Sequence, residues 1–504
     1  MIVRDSALTL IVSVIATLVV DIADAAPEFG KLVVLHRHGA RTPMGVVDGA
    51  LVCAYPYCQL TNQGKDMCRT LGRYISTTYN STGLINLPEN YNVSFMSSIG
   101  TDYSRVVVSG EAMVMGLYEG SPLQALPFVD FIPITDDVEL VMWKSWPSYI
   151  IRNTYDTEVH VDDAWVRAFI NESHLTELGQ YFGIEALCAS SPTDCVGFVQ
   201  DSIACNVSSG SPVPSWIFER WEDYRVVVSK FLALMLGYDP SDSYDQNVGS
   251  FGYPFATSAL KFLTNPNSGL LQLRHFAAHD WTLIAVYSAL GIWTPPDAGN
   301  TTFVPRFAET LLLEQWTDSG VTYIKAKWGY PNQTSGSGYA YNFRVANMSC
   351  MSADGVVYGA LSTAQSWCPV DDLWRFVNST APLSALGNCY ATDDSLQAQN
   401  CDGDDAPPAG SRCLFYRQKC PAASCGQTDG AIADPARGYM CQSQQLGKDT
   451  PFMAATIVAL VAPALLGGAI TGFYFTNKFR SVFWSLTGTA PPSVDEKQPL
   501  AQEK

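Results

Sequence analysis

Several signatures of nucleotide and metal chemistry are missing from this sequence. No glycine-rich segment has the spacing of a P-loop or of a dinucleotide turn, so a backbone cradle for a nucleotide's phosphates is not expected. None of the 14 cysteines forms a Cys-x-x-Cys pair and none of the six histidines stands with them at zinc spacing, so no metal and no cofactor is expected. Positive charge is scarce: 30 Lys and Arg face 48 Asp and Glu, a net charge of −18 at pH 7, and the absence of any basic run excludes a nucleic-acid surface. No internal repeat appears, which excludes solenoids and propellers.

Two of the arginines stand four residues apart in one loop. The apolar run Lys31-Leu32-Val33-Val34-Leu35 reads as a buried strand, and it leads into His36-Arg37-His38-Gly39-Ala40-Arg41-Thr42-Pro43, where Gly39 and Pro43 force a loop. That loop places the imidazole of His38 between two guanidiniums. An imidazole nitrogen can attack phosphorus, and fixed guanidiniums can hold the oxygens whose charge must be stabilised meanwhile. A second apolar run, Leu271 to Ala277, ends in Ala278-His279-Asp280-Trp281-Thr282-Leu283.

Arg-His-Gly-Ala-Arg-Thr-Pro resembles the signature of the histidine acid phosphatases, a branch of the phosphoglycerate-mutase-like superfamily. The His-Asp-x-Thr-Leu segment is similar to that family's second motif. Leu60-Thr61-Asn62-Gln63-Gly64 resembles its Leu-Thr-x-x-Gly helix start, with Thr61 a natural N-cap. Thr101-Asp102-Tyr103-Ser104-Arg105 resembles its Thr-Asp-x-x-Arg block, though without the arginine often found ahead of it. Phe303-Val304-Pro305-Arg306-Phe307-Ala308-Glu309 resembles its Pro-x-x-Ala-x-Glu block, with Glu309 one residue closer to Ala308 than in that pattern, and Cys368-Pro369 the end of the domain. The matches run in order from Lys31 to about Phe376. They imply an α/β fold with a central, mostly parallel sheet flanked by helices and a smaller helical cap inserted at roughly 143–254, an aromatic-rich stretch that includes Trp216 to Tyr238 with apolar residues at helical spacing.

The resemblance also implies the roles. His38 is the nucleophile that forms a phosphohistidine, Asp280 protonates the leaving oxygen, and Arg37, Arg41, Arg105 and His279 bind the phosphate. His36 alternates to the other side of the strand and is expected to be structural. His275 is expected to pack against the same sheet end, whereas His160 and His174 lie outside the motifs. Glu309 is the next candidate for a proton donor.

The remaining sequence sets the compartment. Residues 1–25 combine Arg4, an apolar run from Ala7 to Val20 and Ala23-Asp24-Ala25, the pattern of a cleaved signal peptide. Pro451 to Phe475 carries no charge for 25 residues, enough at about 1.5 Å per residue to span the hydrocarbon core as a C-terminal transmembrane helix. Lys478 and Arg480 then place a tail, 476–504, in the cytoplasm.

The expected organisation is therefore a signal peptide, a phosphatase domain over 27–380, a Cys-rich membrane-proximal stalk or small module over 381–450, the span and the tail. Fourteen cysteines, an even count, point to disulfides whose pairing the sequence leaves open, and eight Asn-x-Ser/Thr sequons point to glycosylation. The excess of carboxylates suits an acidic lumen, in which they lose charge while arginines stay protonated.

The expectation is a single-pass, glycosylated, membrane-anchored acid phosphatase with its catalytic domain lumenal or extracellular, on endosomal, lysosomal or cell-surface membranes. Its substrates would be small phosphate monoesters or phosphoproteins. Homodimers are common among the acid phosphatases it resembles, and the oligomeric state stays open. Two alternatives remain: a phytase-like inositol phosphate phosphatase, for which basic residues are few, and a non-catalytic receptor for phosphorylated ligands, which would need neither His38 nor Asp280.

Overall fold

The computed structural model describes residues 26–443 apart from 48–49, 122–128, 156–160, 294–302, 336–337, 364–365, 385, 400, 402, 404 and 426–430. The expected signal peptide, transmembrane span and tail lie outside the described residues. Among the described residues no helix is long and apolar enough to cross a membrane.

A mixed α/β sheet carries the structure. In chain order its elements are β1 (Glu28–Arg37), helix α1 (Asn62–Ile75), β2 (Met96–Thr101), helix α2 (Ser104–Leu117) and β3 (Asp130–Ile132). After a long helical stretch containing α3 (Pro192–Ser209), α4 (Trp221–Leu236) and α5 (Tyr253–Thr264) come β4 (Leu273–Ala278) and α6 (Asp280–Ala289). The chain closes the sheet with β5 (Thr310–Asp318), β6 (Val321–Gln333), β7 (Tyr339–Val345) and β8 (Cys368–Pro369), followed by α7 (Val370–Ser379). The strand order is β8-β6-β5-β1-β4-β2-β3, with β7 also paired to β6. β1, β4, β2 and β3 run parallel, and β5 joins the other side of β1 antiparallel.

β1 is apolar without alternation because both of its faces are covered. Val33 and Leu35 point into a core with Phe255, Leu260, Ile284 and Leu313. Leu32 and Val34 point into a second core with Met67, Leu71, Met113 and Leu117 of α1 and α2. Thr61 caps α1 as its spacing predicts, accepting from the Gly64 amide at 3.1 Å and donating to the Ala40 carbonyl at 2.9 Å. That contact draws the start of α1 against the loop after β1 so closely that a Cβ on Gly39 would sit 2.1 Å from the Gly64 carbonyl oxygen. Glycine at position 39 is therefore a steric requirement.

The helical stretch from Met142 to Val248 includes a core of its own, with Leu175, Leu178, Val196, Val199, Ile203, Tyr224 and Val227 buried together. Met44, Val46 and Leu51, from the short hairpin of Gly45–Val47 and Ala50–Val52, pack against it.

Residues 387–442, where the sequence suggested a stalk or small module, form short helices and a two-stranded ribbon that belong to the same compact unit as the sheet. Cys389–Cys420 and Cys401–Cys413 lie in a small core with Leu396, Tyr416 and Ile151 of the helix Pro147–Tyr155, and Cys425–Cys441 closes a further loop. Fully buried Arg417 donates to the carbonyls of Cys401, Gly403, Asp405 and Tyr439. Disulfides and an arginine-to-carbonyl network thus replace a large apolar core there. With three further bonds, Cys53–Cys58, Cys188–Cys195 and Cys350–Cys368, Cys68 and Cys205 are buried free thiols among the described residues.

Candidate active site

Register brings the two histidine motifs to one place. β1 pairs with β4 so that His36 faces Ala277 and Arg37 faces Ala278, which makes His38 and His279 the next residues out of adjacent parallel strands. The His38 amide confirms the level by donating to the Ala278 carbonyl at 2.9 Å. The site sits at the carboxyl ends of parallel strands, where the sheet changes from parallel to antiparallel neighbours and the chain leaves the sheet plane.

His38 is buried, and its Nδ1 lies 2.9 Å from the Gly39 carbonyl. A carbonyl only accepts, so Nδ1 carries the proton and Nε2 presents its lone pair. Burial holds the His38 pKa well below its usual value, and the charges of Arg105, Arg37, Arg41 and His279 push the same way. The imidazole stays neutral at mildly acidic pH. Its ring stands edge-on to His279 at a centroid distance of 5.7 Å.

Three arginines gather around it. The Arg37 guanidinium lies 4.4 Å from the Phe307 ring centre, donates to the Pro305 carbonyl at 2.6 Å and pairs with Asp280 at 2.8 Å. Arg41 forms a two-pronged pair with Asp201, at 2.6 and 3.1 Å. Arg105, at the start of α2, lies 4.7 Å from the Tyr103 ring centre, and burial followed by the charge of Arg41 lowers its pKa to about 10, which leaves it cationic at any working pH. The Nε atoms of Arg37, Arg41 and Arg105 are all buried without a hydrogen-bond partner among the described residues. Three unspent cationic donors around a neutral imidazole can take the oxygens of an oxyanion.

His279 accepts from or donates to Thr101 Oγ1 at 2.8 Å and is neutral for the same reason as His38, burial first and the arginine charges second. Asp280 opens α6 at the rim, with its side chain 24% exposed and hence reachable by a leaving group. Glu309, the second candidate donor, is buried, and burial raises its pKa to about 7. Its carboxylate oxygens are engaged by the Tyr287 hydroxyl at 3.2 Å and the Arg306 amide at 3.0 Å, so it braces the loop that holds Arg37. Among the described residues no group of His, Cys, Asp and Glu is placed to hold a metal ion.

Sequence reasoning missed Asp201, Thr101, Ser109 and Phe307. Ser109 Oγ accepts from the Gly39 amide at 3.1 Å and donates to the Arg105 carbonyl, tying α2 to the loop. Thr101 and Phe307 lie inside two of the matching motifs and were discoverable there. Asp201 had one signal only, an acid on the otherwise buried face of α3.

His36 and His275 are structural, as expected, but through a bond to each other. Their Nε2 atoms are 2.9 Å apart, His36 Nδ1 lies 2.8 Å from the Arg37 carbonyl, and His275 Nδ1 lies 2.6 Å from Ser98 Oγ. The carbonyl accepts from His36, so His275 donates to His36 and Ser98 donates to His275. Both rings are fully buried and neutral, the His36 pKa being held by burial at about 4.

His275→Phe orphans Ser98 Oγ and His36 Nε2, and a loss of about 1–3 kcal/mol per group is expected in urea unfolding. The sign of the pH effect follows. Below about pH 6.5 the unfolded chain takes up protons that the buried rings refuse, so their contribution is full above that pH and declines toward pH 4. The variant should therefore lose stability less steeply than the wild type between pH 6.5 and 4.5; equal slopes would contradict the neutral pair.

No protein-family model matches the chain. Testicular acid phosphatase of Mus musculus is 26% identical over 306 residues, covering 55% of this chain and 68% of that protein. Lysosomal acid phosphatase of Bos taurus is 23% identical over 291 residues, 52% of this chain and 63% of that protein. These relatives are acid phosphatases, and the chain is similar to them over about half its length. Among solved structures, a Klebsiella phytase aligns over 71% of this chain and 99% of its own, at 14% identity and a TM-score of 0.49.

Proposed function

We propose that this chain hydrolyses phosphoric monoesters through a covalent phosphohistidine. The observation that carries the reading is the set of three buried, unpartnered arginine Nε donors around the neutral, correctly protonated His38. A bound ester places its phosphoryl oxygens against Arg37, Arg41, Arg105 and His279. His38 Nε2 attacks phosphorus as the ester P–O bond breaks, and Asp280 gives its proton to the departing oxygen, releasing the alcohol. Asp280, now a carboxylate, takes a proton from a water that attacks phosphorus; the P–N bond breaks, its electron pair returns to Nε2, and phosphate leaves. Arg37 pairs with the Asp280 carboxylate, and an incoming phosphoryl oxygen competes for that guanidinium, freeing the acid to face the leaving group.

The same reading places the catalytic domain in an oxidising lumenal or extracellular space, tethered by residues 451–475 and glycosylated. Six disulfides support the compartment. The sequon asparagines at 80, 92, 171, 206, 332, 347 and 378 are all at least partly exposed.

A pH–rate profile on the full chain with an aryl phosphate tests the reading. The nucleophile is not silenced by protonation near pH 6.5, because burial and the neighbouring arginines hold the His38 pKa well below that. Activity should therefore persist below pH 6. A collapse of rate near pH 6.5 on acidification would contradict it.

A further inference from the structure

Arg41 is held from outside the catalytic loop. Asp201, buried on α3 of the helical stretch, accepts from Nη2 at 2.6 Å and from Nη1 at 3.1 Å, and its Oδ2 also accepts from the Met44 amide at 3.2 Å. Nη1 spends its second hydrogen on the Thr42 carbonyl at 3.0 Å. Cys205, one turn beyond Asp201, fills the space behind the pair with its Sγ 3.7 Å from Nη1. A guanidinium has five N–H donors in a rigid plane. Asp201 and Thr42 take three of them, all on the Nη atoms. The remaining two, on Nε and Nη2, lie parallel along the other edge, and that Nε is the buried, unpartnered donor noted above.

We propose that Asp201 is a positioning residue for the reaction: by gripping one edge of Arg41 it turns the opposite edge into a fixed two-donor fork for a phosphoryl oxygen. Because Asp201 also takes the Met44 amide, seating of α3 and alignment of the phosphate ligand are one event. A loose arginine would still attract phosphate by its charge, but it would pay the ordering entropy in the transition state. The inference rests on the proposed role of Arg41 as a phosphate ligand.

The test is a coupling experiment on the full chain with an aryl phosphate, comparing Arg41→Ala, Asp201→Ala, Asp201→Asn and the Arg41→Ala/Asp201→Ala pair. Asp201→Ala should lower kcat about 10–10²-fold with a smaller change in KM. Asp201→Asn keeps one accepting oxygen and should lose roughly tenfold or less. The double variant should be no slower than Arg41→Ala alone, within about threefold, because Asp201 acts through Arg41. An anchor for α3 that had nothing to do with Arg41 would add its loss to that of Arg41→Ala, and such additivity overturns the proposal, as does wild-type kcat in both Asp201 variants. If Asp201→Ala does not fold, Asp201→Asn in wild-type and Arg41→Ala backgrounds decides by the same comparison. Wild-type kinetics in Arg41→Ala would instead strike the reading of Arg41 as a phosphate ligand, and the inference with it.

Discussion

His38→Ala should abolish turnover, by on the order of 10⁵–10⁶-fold, the scale on which removal of a nucleophile acts when the site works as a unit. The loss should be confined to chemistry. The backbone around position 38 is fixed by its own bonds, with the His38 amide on the Ala278 carbonyl and the Gly39 amide on Ser109, and neither uses the imidazole. Arg37, Arg41 and Arg105 keep their places, so inorganic phosphate should still bind. The measurement is kcat alongside phosphate affinity by calorimetry. A variant that keeps more than about one-thousandth of the rate would show that another group attacks phosphorus.

Asp280→Asn should separate two kinds of ester. Alkyl phosphates release a poor leaving group, for which general acid help is worth roughly 10²–10⁴-fold, whereas esters of acidic phenols depart almost unassisted and should suffer much less. Loss of a guanidinium, in Arg37→Ala or Arg105→Ala, should depress both classes together by about 10²–10³-fold. Equal losses on both esters in Asp280→Asn would mean that the carboxylate merely organises Arg37, to which it is paired at 2.8 Å. Glu309 would then have to be reconsidered, although both its oxygens are engaged elsewhere.

The residues of the candidate site were legible in the sequence because they are rare types in tight spacing: His38 between Arg37 and Arg41, and His279 beside Asp280. The structure brings these and Arg105 together through the level ends of β1, β4 and β2. What supports them was not legible. Asp201 lies 160 residues from Arg41, and although the periodicity of α3 puts this acid on the buried face, nothing in it names the partner. Strand direction was hidden for a similar reason. Leu311-Leu312-Leu313 reads as a buried strand whichever way it runs, so the antiparallel half of the sheet has no local signature. The segment 387–442 has little apolar patterning because Arg417 and its disulfides hold it together, and composition alone suggested a stalk as readily as the packed unit that is found.

The central claim is that phosphorus passes through a bond to His38. Full-length wild type, His38→Ala and Asp280→Asn should be mixed with an aryl ester labelled in its phosphoryl group, quenched in alkali within milliseconds to seconds, and digested. The account predicts acid-labile, base-stable label on the peptide containing His38 in the wild type, none in His38→Ala, and more in Asp280→Asn, where the base that activates water is gone. Label that persists in His38→Ala, or an adduct that alkali removes, would contradict it.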